Sequence, residues 1–131
     1  KILIPKSVGL CDVATFKNCV NLTSIVFEDG GDVPLYVGGD LWLENTQVTI
    51  LVLPFKTYRI RGYWRRGSNL NTLYVKSTIP PILEHGWGDN PDTCDLYVPI
   101  GCKEVYASAT NWGSFRTITE YDFDLNPNNV H

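Results

Sequence analysis

The sequence has no methionine, only two histidines and four cysteines in 131 residues. Without methionine, Lys1 is not a retained initiator, so the chain is expected to be a processed product or a piece of something longer. The spacings Cys11-x7-Cys19 and Cys94-x7-Cys102 match no zinc pattern, and two histidines add little to them. Four cysteines are also few for a disulfide scaffold of this size. Cys19 reads as a small buried hydrophobe, whereas Cys94 and Cys102 are left open as either a bridge or two free thiols. Long apolar runs are missing too. The strongest, "VTILVLPF" at 48–55, stops at a proline, far short of the roughly 18 residues that suggest a membrane span. No signal peptide is visible, because Lys1 is followed at once by the strand-like "ILIP".

Charge is sparse as well, at 19% of residues, while 44% are hydrophobic, which argues for a packed domain rather than a disordered chain. The net charge of −3 and pI near 5.2 exclude a chain that binds nucleic acid through its overall charge.

What the sequence does contain is a repeat. "LYV" occurs at 73–75 and again at 96–98, and "ILI" at 2–4, "IVF" at 25–27 and "LVL" at 51–53 fall into the same register. The starts at 2, 25, 51, 73 and 96 are separated by 23, 26, 22 and 23 residues, a period in the leucine-rich-repeat range. Nine residues before the last four starts stand Phe16, Trp42, Trp64 and Trp87. Cys19, Asn45, Gly67 and Asn90 follow these aromatics by three residues, and Leu22, Val48 and Leu70 precede the strands by three. Such a unit cannot bury its apolar face alone, but stacked units share a core and pair their strands in parallel. Pro5, Pro54 and Pro99 end the strands and turn the chain out of the sheet.

The predicted fold is therefore a leucine-rich-repeat solenoid of about four to five coils, mainly short parallel β-strands with irregular or short helical returns. It forms one domain over 1–121, with a cap at 99–121 and a tail or linker at 122–131. Val105, Tyr106 and Ala109 at helical spacing predict a capping helix over 102–110, with Trp112, Phe115 and Ile118 closing the core.

Two segments, "ATFKNCVNLTSIVF" at 14–27 and "LYVPIGCKEVYASATNWGSFRTITEYD" at 96–122, resemble the BspA-like leucine-rich repeat proteins of anaerobic bacteria. The first is similar to that family's Ala-Phe-x-x-Cys-x-x-Leu-x-x-Ile-x-Ile unit and the second to its terminal coil and cap. The middle repeats depart from the family, with Trp in place of Phe and no Cys. The resemblance implies an extracellular or cell-surface bacterial protein, adhesin-like, that binds another macromolecule and has no catalytic residues and no cofactor.

The candidate ligand surface is "KTYRIRGYWRRG", which holds five of the eleven basic residues. If this stretch is extended, Ile60 faces inward and Arg59 and Arg61 outward. Lys56, Tyr58, Arg59, Arg61, Tyr63, Arg65 and Arg66 make up the patch, rich in the residue types of binding hot spots. Planar guanidinium suits carboxylate or sulfate, so the expected partner is a matrix protein or an acidic glycan. Glu28, Asp29 and Asp32 flank Gly30-Gly31 in an expected exposed turn. "DFDLNPN" at 122–128 spaces Asp122, Asp124, Asn126 and Asn128 like a calcium loop, but Pro127 stands where the turn needs glycine, so no metal is expected. His85 has Glu84, Asp89 and Asp92 nearby but no nucleophile at a characteristic spacing, which argues against an enzyme. A purely structural spacer is the rival reading. On either reading the first coil, open on its outer side, is expected to promote self-association.

Overall fold

The structure, a computed structural model, describes residues 1–11, 16–39, 42–64, 67–84 and 93–124. Among these residues, short parallel strands wind into a β-solenoid of about four turns with one short helix. Six strands form the first sheet: β1 (Ile2–Ile4), β3 (Ile25–Phe27), β5 (Ile50–Leu53), β7 (Thr72–Val75), β9 (Asp95–Pro99) and β10 (Thr117–Tyr121). Four form the second: β2 (Leu10–Cys11), β4 (Leu35–Gly38), β6 (Thr57–Arg61) and β8 (Ile82–Leu83). The helix α1 (Lys103–Ser108) lies between β9 and β10, within the stretch expected to cap the coil.

The repeat register is the sheet register. Ile2 pairs with Ile25, Leu51 with Leu73 and Leu73 with Leu96. Alternate residues point inward, so Leu51, Leu53, Leu73, Val75, Leu96 and Val98 are all fully buried. The aromatic position stacks in the same way. Phe16 meets Trp42 edge-on at 5.2 Å, and Trp42 meets Trp64 at 6.4 Å, all three buried. Trp87 lies outside the described residues.

The prolines act as corner pieces. The carbonyls of Pro5, Pro54 and Pro99 accept from the backbone N–H groups of Val8, Thr57 and Cys102, each three residues on, at 3.0 to 3.1 Å. Each of these tight turns swings the chain away from the first sheet. Where irregular or helical returns were expected, β4, β6 and β8 pair instead, with Val37 opposite Ile60 and Ile60 opposite Leu83. These strands span only two to five residues, too short for alternation in the sequence to separate them from loop.

The cysteines differ from expectation at one site and settle the open alternative at another. Cys94 and Cys102 are buried free thiols, so no bridge joins them. Burial pushes the Cys102 thiol above the ordinary range, and its Sγ faces the Thr78 carbonyl at 3.7 Å. Cys19 is exposed rather than buried. The left-handed residue of its turn is Asn18 (φ 64°), two after Phe16, whereas Asn45 (φ 61°) comes three after Trp42. The first turn therefore closes one residue early, and Asn18 rather than Cys19 stacks on the next coil, its Oδ1 accepting from Asn45 Nδ2 at 3.3 Å. The Cys11 side chain lies outside the described residues.

The cap is more than a helix. Trp112 and Phe115 stack at 5.7 Å, both buried, and Ile118 packs against the core from β10. Residues 117–121, expected only to close the core, form a sixth strand, with Ile118 opposite Leu96 in the repeat register. On the second sheet no further strand follows β8 among the described residues, and side chains of the cap take its place. Trp112 Nε1 donates to the Pro81 carbonyl at 2.8 Å, Asn111 Nδ2 to Leu83 at 2.7 Å and the Tyr106 hydroxyl to Ser77 at 2.7 Å.

Trp112→Phe keeps most of the buried ring but leaves the Pro81 carbonyl without this donor. It should lower stability by about 1–2 kcal/mol, read from urea unfolding, whereas an unchanged midpoint would show that the indole N–H does not hold the cap. Asp95 gives a pH test. Its carboxylate accepts from Arg116 Nε and Nη2 and from the Thr117 hydroxyl at 2.8 to 2.9 Å, bonds that hold its pKa below the usual carboxylate range, the Arg116 contact foremost. A depressed folded-state pKa stabilises above the unfolded value near 4, and that contribution disappears as pH falls through the folded value. Wild type should lose stability below about pH 4 more steeply than Asp95→Asn; parallel pH profiles would remove Asp95 from the acid response.

Candidate functional site

β6 carries Tyr58, Arg59 and Arg61 of the basic stretch singled out from sequence, in the extended form on which that reading was conditional. Ile60 is fully buried and Arg59 and Arg61 lie on the outer side, each half-buried. The pairing of β4 with β6 is irregular: Leu35 faces Thr57 but Tyr36 faces Arg59, so Tyr58 is an extra residue in the ladder. Such a bulge re-aims the side chain it inserts. Tyr58 is 48% exposed and packs its ring on Tyr36 at 5.4 Å.

Among the described residues of the patch, the charges are distributed rather than gathered. Lys56 turns away from solvent, and its Nζ donates to the backbone carbonyls of Lys6 and Val8, tying the first proline corner to the third coil. Arg59 Nε stands 3.3 Å from Glu84 Oε2. That pair is held by charge, since its geometry falls outside that of a hydrogen bond and both side chains are about one-third exposed. Arg61 and Tyr63 are half-buried. Arg65 and Arg66 lie outside the described residues, as do His85, Asp89, Asp92, Asn126 and Asn128. Glu28 and Asp29 are exposed beside Gly30 and Gly31, both at positive φ, as the turn reading required. A Cβ on Gly31 would sit 2.4 Å from the Lys6 carbonyl oxygen, so only glycine lets the two coils approach this closely.

What the sequence did not single out is the apolar corner beside this patch. Where the chain leaves the first sheet, Phe55 is 66% exposed and Ile79 is 77% exposed, far more than side chains of this size usually are. With Tyr58, Ile82, Pro34 and Asp32 they line a groove of about 380 Å³. A second groove of about 450 Å³ shares Pro80, Pro81 and Ile82 with it and runs past the Arg59–Glu84 pair to Asn111 and Trp112 of the cap. Adjoining at Pro80, Pro81 and Ile82, the two form a trough beside β6 and β8, mostly apolar at the corner and of mixed polarity toward the cap. A signal for it was present in the sequence. Phe55 follows β5 and Ile79 follows β7, at corners where the chain leaves the first sheet.

Among the described residues no cluster of three or more His, Cys, Asp or Glu is arranged to hold a metal ion, and no helix is long and apolar enough to cross a membrane. Compared with models of known protein families and with curated proteins, the chain matches none.

Proposed function

We propose that the chain is a non-catalytic binding module of a secreted or cell-surface bacterial solenoid, related to the BspA-like leucine-rich repeat proteins, and that its ligand is a segment of another protein. The observation that carries the reading is the trough: exposed Phe55, Tyr58, Ile79 and Ile82 beside the Arg59–Glu84 pair, on strands locked into a stacked sheet. Apolar and aromatic anchors surrounded by polar side chains are the anatomy of a protein-binding hot spot. Rigid strands keep the ordering cost on this side of the complex small. A structural spacer is the second reading, favoured by the unbroken six-stranded sheet, which suits a stiff rod as well as a binding platform.

A binding screen against extracellular-matrix proteins and acidic polysaccharides separates these readings. The wild-type chain would run beside Tyr58→Ala/Ile82→Asp and beside Arg59→Ala/Arg61→Ala, at low and high salt. A matrix-protein hit weakened at least about tenfold by the first variant supports the trough. Salt-sensitive binding of acidic polysaccharide, lost only in the arginine variant, would move the site to the charged patch. Silence across the panel would leave the spacer reading.

Self-association belongs to the same proposal. β1 lies at the edge of the six-stranded sheet, and its Leu3 is 57% exposed, an apolar edge open to strand pairing. Elution volume should fall as concentration rises, and Leu3→Lys should abolish the change; elution at the monomer mass across a hundredfold dilution would exclude it.

A further inference from the structure

The two edges of the first sheet differ in what they offer a further strand. On β10, Glu120 lies opposite Val98, which is fully buried in the core. Glu120 is exposed, and its Oε2 accepts from the Lys103 backbone N–H at 3.2 Å. A strand added to β10 would press that carboxylate onto the end of the core, and a charge so placed protects a sheet edge from pairing. On the second sheet the same end is occupied by the cap, with Asn111 and Trp112 already on the carbonyls of Leu83 and Pro81.

β1 at the opposite edge carries apolar side chains only. Ile2 and Ile4 pack against the core yet stay half-buried, whereas Ile25 and Phe27, their partners on β3, are 4% and 6% exposed. The Ile2 N–H donates to Ser24 and the Ile4 carbonyl accepts from Glu28, so these two residues turn their polar groups toward β3. Alternation turns the N–H and C=O of Leu3 the other way, to the open edge. Ile2-Leu3-Ile4 also reads the same in both directions. Antiparallel pairing about Leu3 therefore fits it without a mismatch: Leu3 exchanges both hydrogen bonds with Leu3 of a second copy, and Ile2 comes opposite Ile4. On the outer face the pairing extends a column that runs from Leu3 through Val26 and Val52 to Tyr74 and Tyr97. That column ends in the stacked rings of Tyr74 and Tyr97, 4.5 Å apart, on which Tyr121 packs, with Phe123 beside Tyr74. Charge is complementary as well. Lys1 comes opposite Pro5 of the second copy, next to exposed Glu28, whose Oε1 accepts from the Lys6 backbone N–H at 2.9 Å. The Lys6 side chain itself runs toward Gly30 and away from the edge.

We infer that β1 is a self-complementary docking edge whose partner is a second copy of this chain, joined end to end about a two-fold axis at Leu3. This contact rests on the self-association proposed above and specifies how the copies meet and where growth stops. A two-fold contact uses the same edge of both copies and closes at the dimer, whereas β1 on β10 would repeat head to tail into a filament. The dimer joins two six-stranded sheets into one. Ile2 and Ile4 of each copy cover those of the other, and Lys1 of each reaches Glu28 of the other.

Sedimentation velocity of the full chain across a hundredfold range of concentration reads the stoichiometry. A monomer–dimer equilibrium with no larger species is expected. Monomer at every concentration would overturn both the self-association and the two-fold contact; a ladder of larger species would keep the first and overturn the second. Disulfide trapping reads the register. The axis sets Leu3 opposite itself at a Cα separation of about 5.5 Å, within bridging range. Leu3→Cys in a Cys19→Ser background should therefore give a covalent dimer under oxidised glutathione, and Thr119→Cys in the same background should not. Faster trapping of Leu3→Cys with Thr119→Cys than with itself would overturn the two-fold contact in favour of head-to-tail growth. Lys1→Glu and Glu28→Lys should each weaken the dimer about fivefold, and the two changes in one chain should restore it. A double variant as weak as either single one would overturn the Lys1–Glu28 pairing and with it the register. Variants are compared only at a thermal midpoint close to wild type, and Lys1→Glu, at an exposed position, carries the charge test if Glu28→Lys falls short of it. The Tyr58→Ala/Ile82→Asp variant should dimerise like wild type, so that failure of the trough and failure of this edge are read separately.

Discussion

Each coil of this protein depends on the next for hydrogen-bond partners, because in a parallel solenoid a strand's outward N–H and C=O groups are satisfied only by a neighbouring strand. Ile2 N–H donates to the Ser24 carbonyl of the next coil, while Thr72 N–H donates to Thr49 and Asp95 N–H to Asn71 of the coil before, so neighbouring coils are bonded along the axis. The chain resolves the C-terminal end of this dependence differently on its two sheets. On the first, β10 supplies one more strand. On the second, the Asn111 amide, the Trp112 indole and, at the corner, the Tyr106 hydroxyl donate to the carbonyls that a further coil would have met. The same aromatics that cover the apolar end of the core thus carry polar tips to the edge of the sheet. Burial pushes the Tyr106 phenol far above its ordinary pKa while its proton bonds to Ser77.

The corners are the second consequence of stacking. A coil has room for inward side chains along its two sheets but not where the backbone turns between them. Proline-initiated turns follow β5 and β9, and the coil between them turns at Lys76 without a proline, so side chains leaving the first sheet at these corners stay on the surface. Phe55, Ile79 and Ile100 are exposed there, and the grooves that they line follow from the fold rather than from any local motif. Recognition, on the readings proposed above, uses what the scaffold cannot bury. The ionic contribution is smaller than the basic composition of 56–66 suggests, because Lys56 caps backbone carbonyls and Arg59 faces Glu84.

The inner strands were legible because their signal is repetitive. Ile2, Ile25, Leu51, Leu73 and Leu96 recur at 22 to 26 residues, and a register that recurs this regularly buries its apolar face by stacking. The capping helix and the buried roles of Trp112 and Phe115 followed from helical spacing and from the need to cover the last coil. The sixth strand was also within reach, since Ile118 continues the spacing at 22 residues from Leu96, but its polar neighbours Thr117, Thr119 and Glu120 hide the strand pattern. The exposed state of Cys19 was not legible, because it turns on whether the left-handed residue comes two or three positions after the aromatic.

The sequence by itself determined the period, the parallel register of the first sheet, the proline corners and the capped end, because each depends on which residues are apolar and how often they recur. Only the tertiary structure decided that the returns pair as a second sheet and that the thiols of Cys94 and Cys102 stay apart. The same holds for the placing of Tyr121 and Phe123 against the Tyr74–Tyr97 stack and of Arg59 against Glu84. Those outcomes rest on contacts between residues some 20 to 50 positions apart, one or two coils along the axis. A contact of that kind is set by how the coils are stacked, not by any pattern within one of them.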